Sequence, residues 1–180
     1  TTSLDLSTIA AGSGGFVIHG QAAGDRSGTS VAGAGDVNGD GLPDLLIGAK
    51  NSDPAAGRDG GRTYLVFGKT STTPVDLSTI AAGSGGFAIH GQAAGDYSGC
   101  SVASAGDMNG DGLADLLVGA SHSDPAAGGN AGRTYVVFGS TSGAFSQTAI
   151  DQLGSAANET LTGSTSSETL VGDEIGRAHV

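Results

Sequence analysis

The sequence predicts an all-β chain made of repeated small sheets, on three observations: an internal repeat of 71 residues, a very high glycine content, and short apolar runs bounded by turn residues. Leu4–Gly68 aligns without a gap on Val75–Gly139, and 51 of the 65 aligned positions are identical. Repetition at that period is the signature of arrays in which one supersecondary unit stacks on its own copies. Glycine accounts for 34 of the 180 residues, and tryptophan is absent. Such a composition means collagen, disorder, or many short strands joined by tight turns. The chain lacks the Gly-X-Y period, and its apolar runs recur, which leaves strands and turns.

Each copy reads as four short strands. In the first copy they fall at Phe16–His19, Ser30–Ala34, Asp44–Ala49 and Thr63–Phe67. Their counterparts are Phe87–His90, Ser101–Ala105, Asp115–Ala120 and Thr134–Phe138. The run Leu45-Leu46-Ile47 is apolar without alternation, which predicts cover on both faces of its sheet. The small residues of Val31-Ala32-Gly33-Ala34 let neighbouring backbones approach closely. Three of the differing positions, Val37/Met108, Ile47/Val118 and Leu65/Val136, exchange one apolar residue for another. Such swaps suit a core that keeps its pattern while its packing adjusts. Four strands per repeat with two covered faces describe a β-propeller blade. A parallel β-helix has a much shorter period, and a sandwich does not normally repeat its own sequence.

The chain therefore reads as two four-stranded blades of a partial propeller. Residues 1–74 form the first blade with its leading segment, and residues 75–145 form the second. Propellers close with roughly 4–8 blades, and a repeat array needs about three units to bury its faces. The chain is accordingly expected to be a piece of a longer protein, with further blades of the same parent chain as neighbours. The start at Thr1 without methionine predicts that the native N-terminus lies outside the sequence.

Net charge is -11 and the pI is about 4.3, so a phosphate backbone would be repelled and nucleic acid is excluded as a partner. No apolar run approaches the roughly 18–20 residues of a membrane span. Cys100 is the only cysteine, so no intramolecular disulfide can form. Metal ions are the other way to staple a small β module, and much of the negative charge sits in two tight clusters.

Those clusters are Asp36-Val37-Asn38-Gly39-Asp40-Gly41-Leu42-Pro43-Asp44 and Asp107-Met108-Asn109-Gly110-Asp111-Gly112-Leu113-Ala114-Asp115. Oxygen-bearing side chains fall at loop positions 1, 3, 5 and 9, and the carbonyl of Leu42 or Leu113 at position 7 adds a fifth oxygen. Calcium takes six to eight hard oxygen ligands, and a nine-residue loop can bring this set round one ion. Glycines at positions 4 and 6 permit the left-handed turns that aim the ligands inward. The alternative is a solvated acidic turn, in which three aspartates repel one another without a cation. An EF-hand needs a bidentate glutamate at position 12 between two helices. Position 12 here is Ile47 or Val118, within a strand, so that reading is rejected.

The stretch AGDRSGTSVAGAGDVNGDGLPDLLIGA, followed by GRTYLVFG, resembles the FG-GAP repeat of the integrin α-subunit propeller and its bacterial relatives. The likeness covers about 130 residues, with loop and flanking strands matching together. It implies a propeller, commonly of seven blades, with calcium in β-hairpin loops on one rim and other surfaces serving adhesion or ligand recognition. The implied metal ligands are Asp36, Asn38, Asp40, Leu42 and Asp44, with Asp107, Asn109, Asp111, Leu113 and Asp115. Two departures stand out. Ser27-Gly28 and Ser98-Gly99 replace the family's Phe-Gly, while Gly48-Ala49-Lys50 and Gly119-Ala120-Ser121 replace its Gly-Ala-Pro.

On this reading two structural Ca²⁺ ions stabilise a secreted or cell-surface module that recognises a protein or carbohydrate ligand through the complete propeller. Extracellular modules bind calcium with dissociation constants of roughly 10⁻⁴–10⁻³ M, and cytosolic calcium would leave such sites empty. No enzymatic role is expected. The alternative function is a non-catalytic appendage of a large secreted hydrolase.

Other residues carry less. His19 and His90 repeat at one strand position and read as a feature of the blade rather than a catalytic pair. His122 replaces Asn51, and Cys100 replaces Thr29. Ser27 and Ser98 lack a Gly-x-Ser-x-Gly elbow. Arg62 and Arg133 are each expected to pair with a nearby carboxylate. In the tail, Asn158-Glu159-Thr160-Leu161-Thr162-Gly163 returns nine residues later as Ser167-Glu168-Thr169-Leu170-Val171-Gly172. Residues 146–173 thus read either as a degenerate RTX-like calcium nonapeptide or as a Ser/Thr/Gly-rich linker. Residues 174–180 match a translated sequencing adapter and are expected to be an artefact.

Overall fold

Glycine-rich turns divide the chain into very short elements, the only kind its composition can support. The computed structural model describes residues 3–124 and 129–141, so the tail expectations for residues 146–173 and 174–180 lie outside the described residues. In chain order the elements are α1 (Leu6–Ala10), β1 (Ile18–His19), β2 (Ser30–Gly35), β3 (Asp44–Ala49), β4 (Arg62–Val66) and β5 (Val75–Asp76). They continue with α2 (Leu77–Ala81), β6 (Gly86–His90), β7 (Ser101–Gly106), β8 (Asp115–Ala120) and β9 (Arg133–Val137).

The two helices were not anticipated. Each is one Leu-Ser-Thr-Ile-Ala segment behind an aspartate. The Asp5 carboxylate accepts from the Ser7 N–H at 2.9 Å, which caps one of the free amides of the first turn. In α2, Leu77 and Ile80 stand three residues apart and are both buried, because that spacing places them on one helix face.

Strands β2, β3, β4 and β6 form one antiparallel sheet in that order, and β7, β8 and β9 form a second. Register is set by pairs such as Leu46↔Leu65, Ile47↔Tyr64 and Tyr64↔Ala88. Two antiparallel multi-stranded sheets packed face on face are blades of a propeller, and the pair does not close a ring.

The grouping of strands differs from the sequence expectation. Phe16–His19 was expected to share a sheet with Ser30–Ala34. Instead Ile18–His19 pairs in parallel with Val75–Asp76. The fourth strand of the first sheet is Gly86–His90, contributed by the second copy. A repeat has the same period wherever counting starts, so the sequence carries the length of the unit without its phase. The first sheet therefore spans Ser30–His90, and its last strand links the two copies covalently.

The central strand β3 has the predicted double burial, with Leu46 and Ile47 both buried and pointing to opposite faces. On one face Ile47, Ala49, Tyr64 and Val66 form a cluster with Leu77 and Ile80 of α2. The other face carries Leu46, Leu65 and Gly48. A β-carbon on Gly48 would overlap the carbonyl oxygen of Gly99, at the turn that leads into the second sheet. At the same junction the Ser30 hydroxyl donates to Gly99 O at 2.8 Å.

Equivalent residues in the two sheets differ in cover. Leu45 is 37% exposed while its counterpart Leu116 is fully buried, and Leu65 is fully buried while Val136 is 42% exposed. One face of each sheet is thus closed by the other sheet. The remaining two faces carry the same residue types with less cover.

Candidate metal loops

The segments 36–44 and 107–115 join β2 to β3 and β7 to β8, at one end of each sheet. A register shift lies between Gly33 and Gly35 in the first sheet and between Ser104 and Gly106 in the second. This bulge bends each strand just ahead of Asp36 or Asp107. Within the loops Gly39 and Gly41 have φ of 76° and 84°, and Gly110 and Gly112 have 79° and 87°. These are left-handed conformations open to glycine at no steric cost.

The loop side chains are tied to the loop backbone. The Asp36 carboxylate accepts from the N–H of Gly39 at 2.8 Å, of Asp40 at 3.1 Å and of Gly41 at 2.9 Å. Asp40 accepts from Leu42 N at 2.8 Å and from the Asn38 amide at 2.9 Å. The second loop repeats the pattern through Asp107 to Gly110, Asp111 and Gly112, at 2.7, 3.0 and 2.9 Å. It also pairs Asp111 with Leu113 N and with the Asn109 amide. A loop wound round its own carboxylates holds them in place before any ligand arrives.

Asp44 and Asp115 behave differently from the other loop acids, since both are fully buried. Asp44 accepts from Val37 N at 2.9 Å and Gly68 N at 2.8 Å, and Asp115 accepts from Met108 N at 2.7 Å and Gly139 N at 2.9 Å. Each therefore pins the start of its loop to the segment after the third strand of its sheet. Burial is the main cause that pushes the Asp44 carboxyl up from its usual range, with the charges of Asp40 and Asp36 adding to it. Replacing Asp44 by alanine leaves two inward N–H groups without acceptors, each worth about 1–3 kcal/mol. Asp44→Ala is thus expected to lower stability by about 3 kcal/mol in chelator as well as in calcium. Urea unfolding in both conditions checks this, and a loss confined to the calcium arm would give Asp44 a purely metal-dependent role.

Among the described residues, no three His, Cys, Asp or Glu side chains are gathered around a common point in the manner of a metal centre. The donor chemistry nevertheless suits a hard cation. Each loop offers three carboxylates, an asparagine oxygen and a main-chain carbonyl. Asp36 Oδ1 accepts two N–H groups, but Asp36 Oδ2 and both Asp40 oxygens accept one each and keep a further lone pair.

Arg62 and Arg133 correct an expectation, for neither meets a carboxylate among the described residues. Arg62 donates to the Gln21 amide oxygen at 3.2 Å, to the Ser52 hydroxyl at 2.9 Å and to the Asp53 carbonyl at 3.2 Å. Tyr64 adds its hydroxyl to the same Gln21 oxygen at 2.6 Å. In the second copy Arg133 and Tyr135 converge on Gln92 in the same way. Sequence reasoning missed these two glutamines, although identity at Gln21/Gln92 was a visible signal. The repeated histidine joins the network at one copy, where His90 Nδ1 accepts from Arg62 at 3.3 Å. Burial, aided by the guanidinium charge, lowers its pKa.

The family model for the FG-GAP repeat matches residues 27–66 and 101–137. Each match holds three strands of one sheet with its acidic loop. Integrin alpha-3 of Cricetulus griseus is 32% identical over 131 residues, which covers 73% of this chain and 11% of the relative. Integrin alpha-PS2 of Drosophila melanogaster is 36% identical over 132 residues, covering 71% of this chain and 9% of the relative. The chain thus spans about a tenth of the length of these curated relatives. Its two blades are built by a pair of FG-GAP repeats, related to those of integrin α subunits.

Proposed function

We propose that the two loops are structural calcium sites in an extracellular recognition module. The observation that carries this reading is the paired nine-residue loop, whose oxygen donors and left-handed glycines recur in both copies. Asp36, Asn38, Asp40, Leu42 and Asp44 would hold one ion, and Asp107, Asn109, Asp111, Leu113 and Asp115 the other. The cation would supply the positive charge that these clustered carboxylates lack. Its role is to hold a hairpin loop, so no catalytic step is assigned to this chain. Extracellular modules bind calcium with dissociation constants of roughly 10⁻⁴–10⁻³ M, and loops of that affinity would be filled only where calcium is abundant, which supports a position outside the cytosol. Among the described residues no helix is long and apolar enough to cross a membrane.

Further blades are the natural neighbours of the two open faces. Leu45 and Val136 lie where their copies, Leu116 and Leu65, are buried by an adjoining sheet. A complete ring would present a surface for a protein or carbohydrate ligand. Equilibrium dialysis of the 180-residue chain against labelled calcium tests the metal reading. Two sites per chain are expected, and one in an Asp36→Asn variant. Absence of saturable uptake at millimolar calcium would remove the metal role. A dissociation constant below about 10⁻⁷ M would instead remove the extracellular assignment.

A further inference from the structure

Only 14 of the 65 aligned repeat positions differ between the copies, about a fifth. One cavity, of about 260 Å³, takes all of its lining from them: Arg26 and its counterpart Tyr97, Lys50 and its counterpart Ser121, Asn51 and its counterpart His122, and Cys100. Surface exposure does not account for this pattern. The equally accessible turns Ala22-Ala23-Gly24 and Ala93-Ala94-Gly95 are identical, as are the tips of the acidic loops. Four of the 14 differing positions, 26/97, 29/100, 50/121 and 51/122, thus meet at this one space between the copies.

The cavity lies at the opposite end of the strands from the acidic loops, since Arg26 precedes β2 while Asp36 follows it, and Lys50 follows β3. A six-residue strand separates the two ends by about 20 Å, so this site is independent of the calcium reading. The backbone holds it firmly. Asn51 N donates to Asp25 O, and His122 N to Asp96 O, both at 3.4 Å. Arg26 and Tyr97 have φ of 54° and 52°, a conformation that non-glycine residues rarely keep without support.

The lining has a definite chemistry. The chain has 18 acidic and seven basic residues, yet two of the basic ones meet here and no carboxylate side chain lines the space. Among the described residues the sole ion pair is Arg58–Asp59, so Arg26 and Lys50 keep their charges unpartnered. The Tyr97 and His122 rings stand 4.9 Å apart at 66°, and the Ser121 hydroxyl lies 2.9 Å from His122 Nδ1.

We propose that this inter-blade cavity binds a carboxylate-bearing sugar residue of an acidic polysaccharide. Arg26 and Lys50 take the carboxylate, since guanidinium and ammonium groups make strong charge-assisted hydrogen bonds to it. The Tyr97 ring offers a flat surface to the C–H face of the sugar. Asn51, Ser121 and His122 provide donors and acceptors for its hydroxyls. The volume falls below the 300–1,000 Å³ usual for drug-sized ligands, which suits a single ring.

The test uses the full 180-residue chain in calcium, titrated calorimetrically with an oligogalacturonate, a neutral oligosaccharide of equal length, and an oligoglutamate peptide. Saturable binding of the oligogalacturonate alone is expected. The decisive variant is Arg26→Tyr/Lys50→Ser, because each incoming residue is the one the other copy carries at that position and the blade accommodates it there. It is expected to bind at least tenfold more weakly while unfolding at the same temperature. No binding to the parent chain, equal binding of the neutral oligomer, tighter binding of the peptide, or undiminished affinity in the variant would each overturn the assignment.

Discussion

Calcium at about 1 mM is expected to raise the melting temperature of the 180-residue chain by roughly 6–12 °C over the value in chelator. A ligand that binds only the folded state stabilises it by RT ln(1 + [L]/Kd). A dissociation constant near 10⁻⁴ M gives about 1.4 kcal/mol per site, and two sites give about 3 kcal/mol. For a chain of this size each kcal/mol moves the midpoint by about 2–4 °C. The Asp40→Ala/Asp111→Ala variant removes the central donor of each loop. Asp40 is exposed and fastened only to Leu42 N and Asn38, so its loss should scarcely alter the chelator curve while abolishing the calcium response. Differential scanning calorimetry of both chains, with and without calcium, checks this. A parent chain whose midpoint ignores calcium, or a variant that responds as strongly as the parent, would rule out the loops as metal sites.

The second large effect is expected from a pair of substitutions at one repeat position. Gly48→Ala should cost about 3 kcal/mol, whereas Gly119→Ala should cost less than about 1 kcal/mol. A β-carbon on Gly48 meets the main-chain oxygen of Gly99 and displaces the Ser30 hydroxyl that bonds to it. Backbone at a sheet junction cannot move aside cheaply, and forcing a methyl group into packed space costs about 1–3 kcal/mol. At Gly119 the nearest obstacle is the Ser101 hydroxyl, a rotatable group, with no adjoining sheet behind it. Residue and strand position are the same in both copies, and the neighbours differ on the strand only by Ile47/Val118, so the difference chiefly reports packing between blades. Chemical denaturation of the two variants measures it. Equal losses would mean that the two sheets do not press together in solution.

Much of the architecture was legible before any coordinates. The runs Asp44–Ala49 and Asp115–Ala120 form strands with those bounds, because an apolar run carrying no helical period has few other options. The left-handed glycines of the acidic loops were equally readable, since no other residue tolerates that backbone so easily. The short helices escaped because five residues are too few to show a period, although Asp5 and Asp76 ahead of Leu-x-x-Ile offered a capping signal. The arginines misled for a different reason. An acidic chain makes a carboxylate partner the obvious guess, whereas Arg62 is held by neutral oxygens that come from 9 to 41 residues away.

By itself the sequence determined the unit, its length, its strands and the loop that bears its oxygen donors, because each is a local property repeated at a fixed offset. Tertiary structure decided the phase of the sheet, with Gly86–His90 closing the sheet that begins at Ser30. It also decided which of two identical faces is covered, and the meeting of Arg26, Lys50, Tyr97 and His122 in one cavity. These depend on contacts between residues tens of positions apart, whose geometry arises only when one blade is laid against another. Local pattern specifies a blade, and the packing of unlike copies creates what lies between blades.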